Sequence, residues 1–345
     1  MSSPSPRAVG WWLFLVAAAV LVQVGLGGIT RLTDSGLSIT EWKPLLGVIP
    51  PLDDAGWAEA FARYQQIPQY IQLKSHLSLE EFRFIYFWEW FHRLWGRLLG
   101  VFFGVPFLVF WLRGQVRGLG KQLLALFVLG GLQGVLGWFM VASGLVELVY
   151  VSHLRLAAHL MLALFLLCAL VWTALTVLRP VPVAQTPRLR QLTWLLVALL
   201  SLQLTWGAFM AGLKAVLMAP SWPTINGQWL PAAVWTELPW QHPLSVHFIH
   251  RTLGYALLLA FAAWWWSSRS TLKLERHLVV GLGLVQVVLG VLTILYATRA
   301  GALLWFGLSH QLVGSALLVA LVAAAHALRA PPATSPGVPG SSRDL

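Results

Sequence analysis

Cysteine is almost absent from this chain. Cys168 is the only one in 345 residues, so no disulfide can form within the chain, and a small buried apolar residue in the middle of an apolar run is the reading it supports. Charge is nearly as scarce, with 10% Asp, Glu, Lys and Arg against 58% hydrophobic residues, too little polarity to coat a soluble domain of this length. Acidic groups are the scarcest, 12 against 23 Lys and Arg, which gives a formal net charge of +11. A nucleic-acid surface would gather those positive charges on one face, whereas here they mark the ends of apolar runs; no nucleic-acid partner is expected.

What fills the chain instead is long apolar sequence, with a mean hydropathy of +0.73. Runs long enough to span a bilayer lie at about residues 10–29, 84–111, 122–142, 153–177, 191–212, 245–266, 278–297 and 303–328. The expected fold class is an all-α integral membrane protein with eight transmembrane helices arranged as two pseudo-symmetric four-helix bundles. The first run is longer than a signal-peptide core and lacks a convincing small-residue cleavage site, so it is expected to stay as the first span.

Arg7, Arg113, Arg117, Lys121, Arg179, Arg188, Arg190, Arg269, Lys273, Arg276, Arg329 and Arg343 all fall on one side of such a topology, opposed there only by Glu275 and Asp344. The lysine and arginine bias predicts both termini in the cytoplasm. The expected organisation is an N-terminal bundle over 1–178 with a long outer loop 31–83, a cytoplasmic linker 179–190 carrying Pro180, Pro182 and Pro187, a C-terminal bundle over 191–329, and a disordered tail over 330–345.

The two halves repeat at the residue level. His92-Arg93-Leu94-Trp95-Gly96 matches His250-Arg251-Thr252-Leu253-Gly254, and His159 matches His310. Every odd span carries Gln-x-x-x-Gly: Gln23 to Gly27, Gln133 to Gly137, Gln203 to Gly207 and Gln286 to Gly290. Helix packing accounts for that pattern, the glycine allowing close approach and the glutamine bonding across an interface; room for a flat macrocycle is compatible with it. Four spans return the chain to its starting side, so the repeat is parallel.

His92, His159, His250 and His310 sit near the outer ends of the even spans, about 8 to 12 Å deep. A lone membrane histidine is usually a helix-to-helix hydrogen bond, but four at matching depth, two per half, point to bis-histidine haem ligation, with His92 and His159 as one iron pair and His250 and His310 as the other. A zinc or copper site is weaker, because no carboxylate or thiol accompanies both pairs. Glu89 precedes His92 by three residues and shares its helical face, where the second half has His247. An intramembrane carboxylate is a functional candidate; the competing account is an ion pair to Arg93, Arg97 or Arg155. Arg93, Arg97 and Arg251 lie where haem propionates would emerge, with snorkelling to the interface as the plainer account. His277 and His326 are expected at the cytoplasmic surface, His76 and His242 in outer loops, and His153 at the start of the fourth span; none is assigned to iron. Trp57, Phe61, Tyr64 and Tyr70 in the long loop suggest interfacial helices capping the first site, and the segment from Trp222 to Pro243 could cap the second, unless each is only an aromatic interface anchor.

Gly27-Gly28-Ile29-Thr30-Arg31-Leu32-Thr33-Asp34-Ser35-Gly36-Leu37-Ser38, followed by Glu41-Trp42-Lys43-Pro44, resembles the first outer loop of haem A synthases. Glu89-Trp90-Phe91-His92-Arg93-Leu94-Trp95-Gly96-Arg97 is similar to that family's Glu-x-x-His-Arg signature, and the stretches around Arg155 to Leu160, Trp206 to Lys214 and His310-Gln311 extend the likeness over nearly the whole chain. The resemblance implies an eight-helix oxidoreductase converting the C8 methyl of haem O to the formyl group of haem A, with water as the oxygen source. It places a haem b cofactor on His250 and His310, the substrate haem O near His92 and His159, and catalysis at Glu89. Some members carry an outer-loop cysteine pair; its lack here resembles the proteobacterial and mitochondrial branch. Haem O synthase, cytochrome oxidase assembly factors, membrane lipid and further copies of the chain are the partners so implied. Two other readings stay open: a diheme b-type quinol or ferric oxidoreductase, and a haem transporter or delivery protein.

Overall fold

The computed structural model describes residues 6–42, 46–116, 118–146, 148–179, 181, 182 and 186–330. Lys43 and Pro44 of the loop motif, Arg117, Pro180 and the tail from Pro331 onward, with its expected disorder, lie outside the described residues.

Among the described residues ten α-helices run in chain order: α1 (Pro6–Leu32), α2 (Asp54–Tyr64), α3 (Leu79–Leu112), α4 (Gly120–Val146), α5 (His153–Leu178), α6 (Pro187–Gly212), α7 (Ala215–Met218), α8 (Pro243–Ser267), α9 (Lys273–Leu295) and α10 (Ala302–Ala327). Eight of them, all but α2 and α7, are long and apolar enough to cross a membrane, and the chain is a multi-pass membrane protein. Among the described residues the only bridge of β type joins Ile225 and Gln228.

Local chemistry sets the helix ends. The second span starts at Leu79, outside the apolar run that begins near residue 84, because Ser78 and Glu81 form a capping box: Ser78 Oγ accepts from the Glu81 N–H at 3.2 Å and the Glu81 carboxylate accepts from the Ser78 N–H at 2.9 Å. His92 therefore lies more than three turns into α3, further along its helix than the run implied. Proline opens α6 and α8, where its missing N–H costs no helical bond.

α5 packs on α1, α6 and α10, and α10 packs on α1, α5, α6 and α9, so a single apolar core runs through both halves, with Leu13, Leu164, Leu196, Leu317 and Leu321 all but fully buried in it. Helices α3 and α4 lie outside that centre and expose Val105, Leu124, Val128 and Val135, the side chains a lipid-facing surface requires.

Between α1 and α3 the chain folds over one end of the bundle, the loop-rich face. Trp57, Phe61, Tyr64 and Tyr70 turn inward and pack with Leu37, Phe82, Ile85 and Tyr86. Tyr64 is fully buried, and the Tyr64 and Phe82 rings lie 5.2 Å apart, so these aromatics form a second small core and not a membrane-interface belt. At the opposite end His326 is also buried, contrary to the surface position expected for it: Trp172 meets its ring edge-on at 4.9 Å, Thr176 lies 3.2 Å from Nε2, and Arg329 covers Nδ1 at 3.0 Å. His277 is exposed as expected.

Candidate functional site

The Gln-x-x-x-Gly motifs and the four histidines turn out to be two sides of one contact, made four times. Gln23 on α1 donates its amide to the His92 carbonyl at 3.1 Å, Gln133 on α4 to that of His159 at 2.9 Å, and Gln203 on α6 to that of His250 at 2.9 Å. On α9 the bond differs: His310 Nδ1–H donates to the Gln286 backbone carbonyl at 3.0 Å, and the Gln286 side-chain amide nitrogen lies 3.3 Å from His310 Nε2. The glycine one turn on lies against the imidazole. A Cβ there would fall 3.2 Å from His92 Nε2 at Gly27, and 2.9, 3.3 and 3.0 Å from Cε1 of His159, His250 and His310 at Gly137, Gly207 and Gly290. Any side chain would push the ring aside, which is why these positions carry glycine.

The complementary half of the contact was not read from the sequence. Gly96, Gly254 and Gly314, each four residues after a histidine, receive the glutamine amides, with built Cβ atoms 3.4, 3.4 and 2.9 Å from the amide nitrogens of Gln23, Gln203 and Gln286. The signal was present, since three of the four paired histidines, His92, His250 and His310, open a His-x-x-x-Gly motif. Packing alone explains the glutamine–glycine pairs, and the structure bears that account out.

The result of so much fixing is a pair of imidazoles aimed at each other. His250 and His310 have ring centres 6.3 Å apart, with planes at 72°. Two imidazole nitrogens each about 2 Å from a shared metal put their ring centres roughly 6 Å apart, so this spacing admits one ion between them. The His310 Nδ1–H bond to the Gln286 backbone carbonyl fixes the tautomer with the lone pair on Nε2, which lies 3.3 Å from the Gln286 side-chain amide nitrogen. In the first half, Nδ1 of His159 is buried without a hydrogen-bond partner among the described residues. No cluster of three or more His, Cys, Asp or Glu suited to a bare metal ion occurs among the described residues.

Glu89 is held more firmly than the sequence suggested. Its Oε2 accepts from Ser38 Oγ at 2.7 Å and from the Ile39 N–H at 2.8 Å, and its Oε1 takes Arg93 at 2.6 Å. The side chain is 3% exposed and that of Arg93 is 13% exposed, so the ion pair anticipated as the plainer account exists and is buried. Arg155 instead bonds the Phe139 carbonyl at 2.9 Å. The loop residues Ser38 and Ile39 were missed as partners, although Ser38 belongs to the motif quoted above.

Arg93 and Arg251 occupy matching positions and do matching work. Arg93 donates to the carbonyls of Ile39 (2.9 Å) and Glu41 (3.0 Å), while Arg251 donates to those of Ser221 (2.6 Å), Thr224 (3.1 Å) and Pro223 (3.3 Å). Each fastens a loop segment over its histidine helix, Arg93 while also pairing with Glu89. Arg97, with Arg93, Arg63, Glu41 and Tyr86, borders a cavity of about 230 Å³ under the long loop. In place of Glu89 the second half has His247, fully buried, with Nε2 3.5 Å from Arg251.

The halves are also tied at the loop-rich face. Asp34, in the left-handed region at φ 53°, bonds Arg31 at 3.1 Å and Lys214 at 2.7 Å, and Arg31 reaches the Ala211 carbonyl. Lys74 donates to the Asp34 carbonyl at 3.2 Å, and burial lowers its pKa from the ordinary 10.5.

A protein called heme A synthase from Rhodospirillum centenum is 45% identical over 345 aligned positions, covering 96% of this chain and 91% of its own length. Those of Sphingopyxis alaskensis and of a Bradyrhizobium species are each 43% identical, covering 94% of this chain and 93% and 92% of their own. The model of the COX15-CtaA family, described as cytochrome oxidase assembly protein, matches residues 10–322, from α1 to near the end of α10. The chain therefore belongs to the COX15-CtaA family of cytochrome oxidase assembly proteins.

Proposed function

We propose that this protein is a haem A synthase, an oxidoreductase that converts the C8 methyl group of haem O to a formyl group and so supplies haem A to terminal cytochrome oxidases. The observation that carries this reading is a difference between two otherwise alike sites. Both have histidines backed by glutamine and glycine, but only the half with His92 and His159 places a buried carboxylate, Glu89, one turn from a histidine.

In this reading His250 and His310 hold haem b, whose contribution when bound is to accept and pass on electrons one at a time. The 6.3 Å spacing and the oriented His310 fit that role. His92 and His159 hold the substrate, haem O. Converting a methyl group and one water to a formyl group releases four electrons and four protons, by way of the hydroxymethyl and the hydrated aldehyde. The protein's own part is to orient the methyl, keep a base beside it and shield the site. Glu89 is that base or electrostatic partner, positioned by Ser38, the Ile39 N–H and Arg93. The loop segments pinned by Arg93 and Arg251 cover the two sites.

The organisation that goes with this function has the substrate half over 1–178, the haem b half over 191–329 and a cytoplasmic linker over 179–190. Both termini lie in the cytoplasm and the haem sites near the outer face of the cell membrane, supported by the lysine and arginine bias. Haem O synthase and oxidase assembly factors are the partners that would deliver substrate and collect product, and homo-oligomers are compatible with the exposed flanks of α3 and α4.

The test is expression with and without a haem O supply, followed by extraction of the macrocycles. Haem b in both cultures and haem A only with haem O supports the reading. Haem b in two equal sites with no haem A would replace it with a diheme cytochrome, and reversible haem binding without turnover would replace it with a carrier.

A further inference from the structure

The half without Glu89 also lacks a negative charge against its arginine. Arg93 and Arg251 each directly follow a paired histidine and match in the repeat, yet their electrostatic surroundings differ. Arg93 has the Glu89 carboxylate at 2.6 Å. Arg251, 8% exposed, donates to the carbonyls of Ala219, Ser221, Pro223 and Thr224 and meets the His247 ring, all of them neutral acceptors. It makes no salt bridge among the described residues. A cation held in the protein interior with no anion beside it is costly.

The residue that stands where Glu89 stands sharpens the contrast. His247 is fully buried on α8, one turn before Arg251 and on the same face. A guanidinium can only donate, so His247 Nε2, 3.5 Å from Arg251 Nη2, is an acceptor and the ring proton sits on Nδ1. That Nδ1 is buried with no hydrogen-bond partner among the described residues, and so is Nε of Arg251. Two buried N–H donors, one of them on a cation, therefore call for an acceptor that these segments do not provide. A water molecule offers an acceptor but no charge, and so meets only half of the requirement.

We infer that His247 and Arg251 together bind a propionate carboxylate of the haem held by His250 and His310. The inference rests on the reading above that those two histidines hold haem b. Away from its iron, haem b is apolar except for its two propionates, and only these can both accept a hydrogen bond and neutralise a cation. Each half then sets one carboxylate against the arginine that follows its histidine: the protein supplies it as Glu89 in the first, and the ligand supplies it in the second. This accounts for the exchange of Glu89 for His247. A second carboxylate at that position would repel a propionate, whereas an N–H donor receives it.

The experiment compares haem b with its dimethyl ester, in which both propionates are capped and uncharged. The full-length protein, prepared depleted of haem, is titrated with each, and the second-site absorption signal is identified by its loss in His310→Ala. The wild type should bind haem b about tenfold or more tighter than the ester, the size expected of a hydrogen bond to a charged group. His247→Leu, similar in volume but without a donor, should cut that preference several-fold by weakening haem b alone. His247→Gln keeps an N–H donor and should retain most of it. Equal weakening of haem b and its ester in His247→Leu would make His247 a packing residue and overturn the inference. A wild type indifferent to esterification would overturn it too, and would give the two donors to water or a lipid phosphate; either result leaves haem at His250 and His310. If His247→Leu does not fold, judged by circular dichroism, the wild-type comparison and His247→Gln decide. A wild type with no His310-dependent signal for either macrocycle would overturn the haem b reading as well.

Discussion

Glu89→Gln probes the tightest cluster in the first half. The carboxylate accepts three bonds from three donors, Ser38 Oγ, the Ile39 N–H and Arg93, and an amide offers one acceptor oxygen and one donor nitrogen. Whichever way the amide turns, its NH2 faces a donor and the Arg93 charge loses its partner. Both side chains are buried, so solvent screening gives no discount, and breaking such a pair costs about 3–5 kcal/mol. That cost falls on the contact between α3 and the loop, not on the distant core. At about 1.4 kcal/mol per tenfold, opening of the loop over residues 38–41 becomes roughly a hundredfold more frequent or more. Hydrogen exchange at the Ile39 amide reads it directly, because that N–H donates to Glu89. Faster exchange there by about that factor, with unchanged protection in α5 and α10, together with haem b retained and haem A lost, is the expected result. Unchanged Ile39 protection would refute the energetic argument, and normal haem A would remove Glu89 from the chemistry.

Further outcomes follow from the same geometry. Gly290→Val puts a branched side chain where a Cβ alone would lie 3.0 Å from His310, so haem b occupancy should fall several-fold in the absorption spectrum, with the helical content by circular dichroism unchanged. Arg251→Gln removes donors from the Ser221, Pro223 and Thr224 carbonyls; proteolysis of the segment 219–228 should accelerate while α1 to α5 stay protected. Asp34→Asn breaks two pairs whose side chains are 15–26% exposed and should lower stability by about 1 kcal/mol, seen as a drop in thermal midpoint. Lys74, its pKa lowered by burial, binds protons less readily folded than unfolded, so its burden on stability is greatest below the lowered pKa and fades as pH rises toward 10.5. Lys74→Met should therefore raise the thermal midpoint more at pH 7 than near pH 10, and an advantage growing with pH would contradict this.

The amino-acid sequence was enough for the eight spans, because lipid leaves a spanning backbone no option but a helix and marks it by a long apolar run. It was enough too for the four histidines and the glutamine–glycine motifs, since an internal repeat is visible without coordinates. Contacts between distant segments were another matter. That Ser38 and Ile39 serve Glu89, that Arg93 and Arg251 fasten loops, that His326 is buried and that the halves share one core all depend on pieces of chain tens or hundreds of residues apart. Periodicity along one helix gives the face on which a residue lies but not what faces it. The glycines show this most plainly. Gly130 and Gly137 look alike in the sequence, and only the packing of α3, α4 and α5 decided that one presses against an imidazole while the other borders open space.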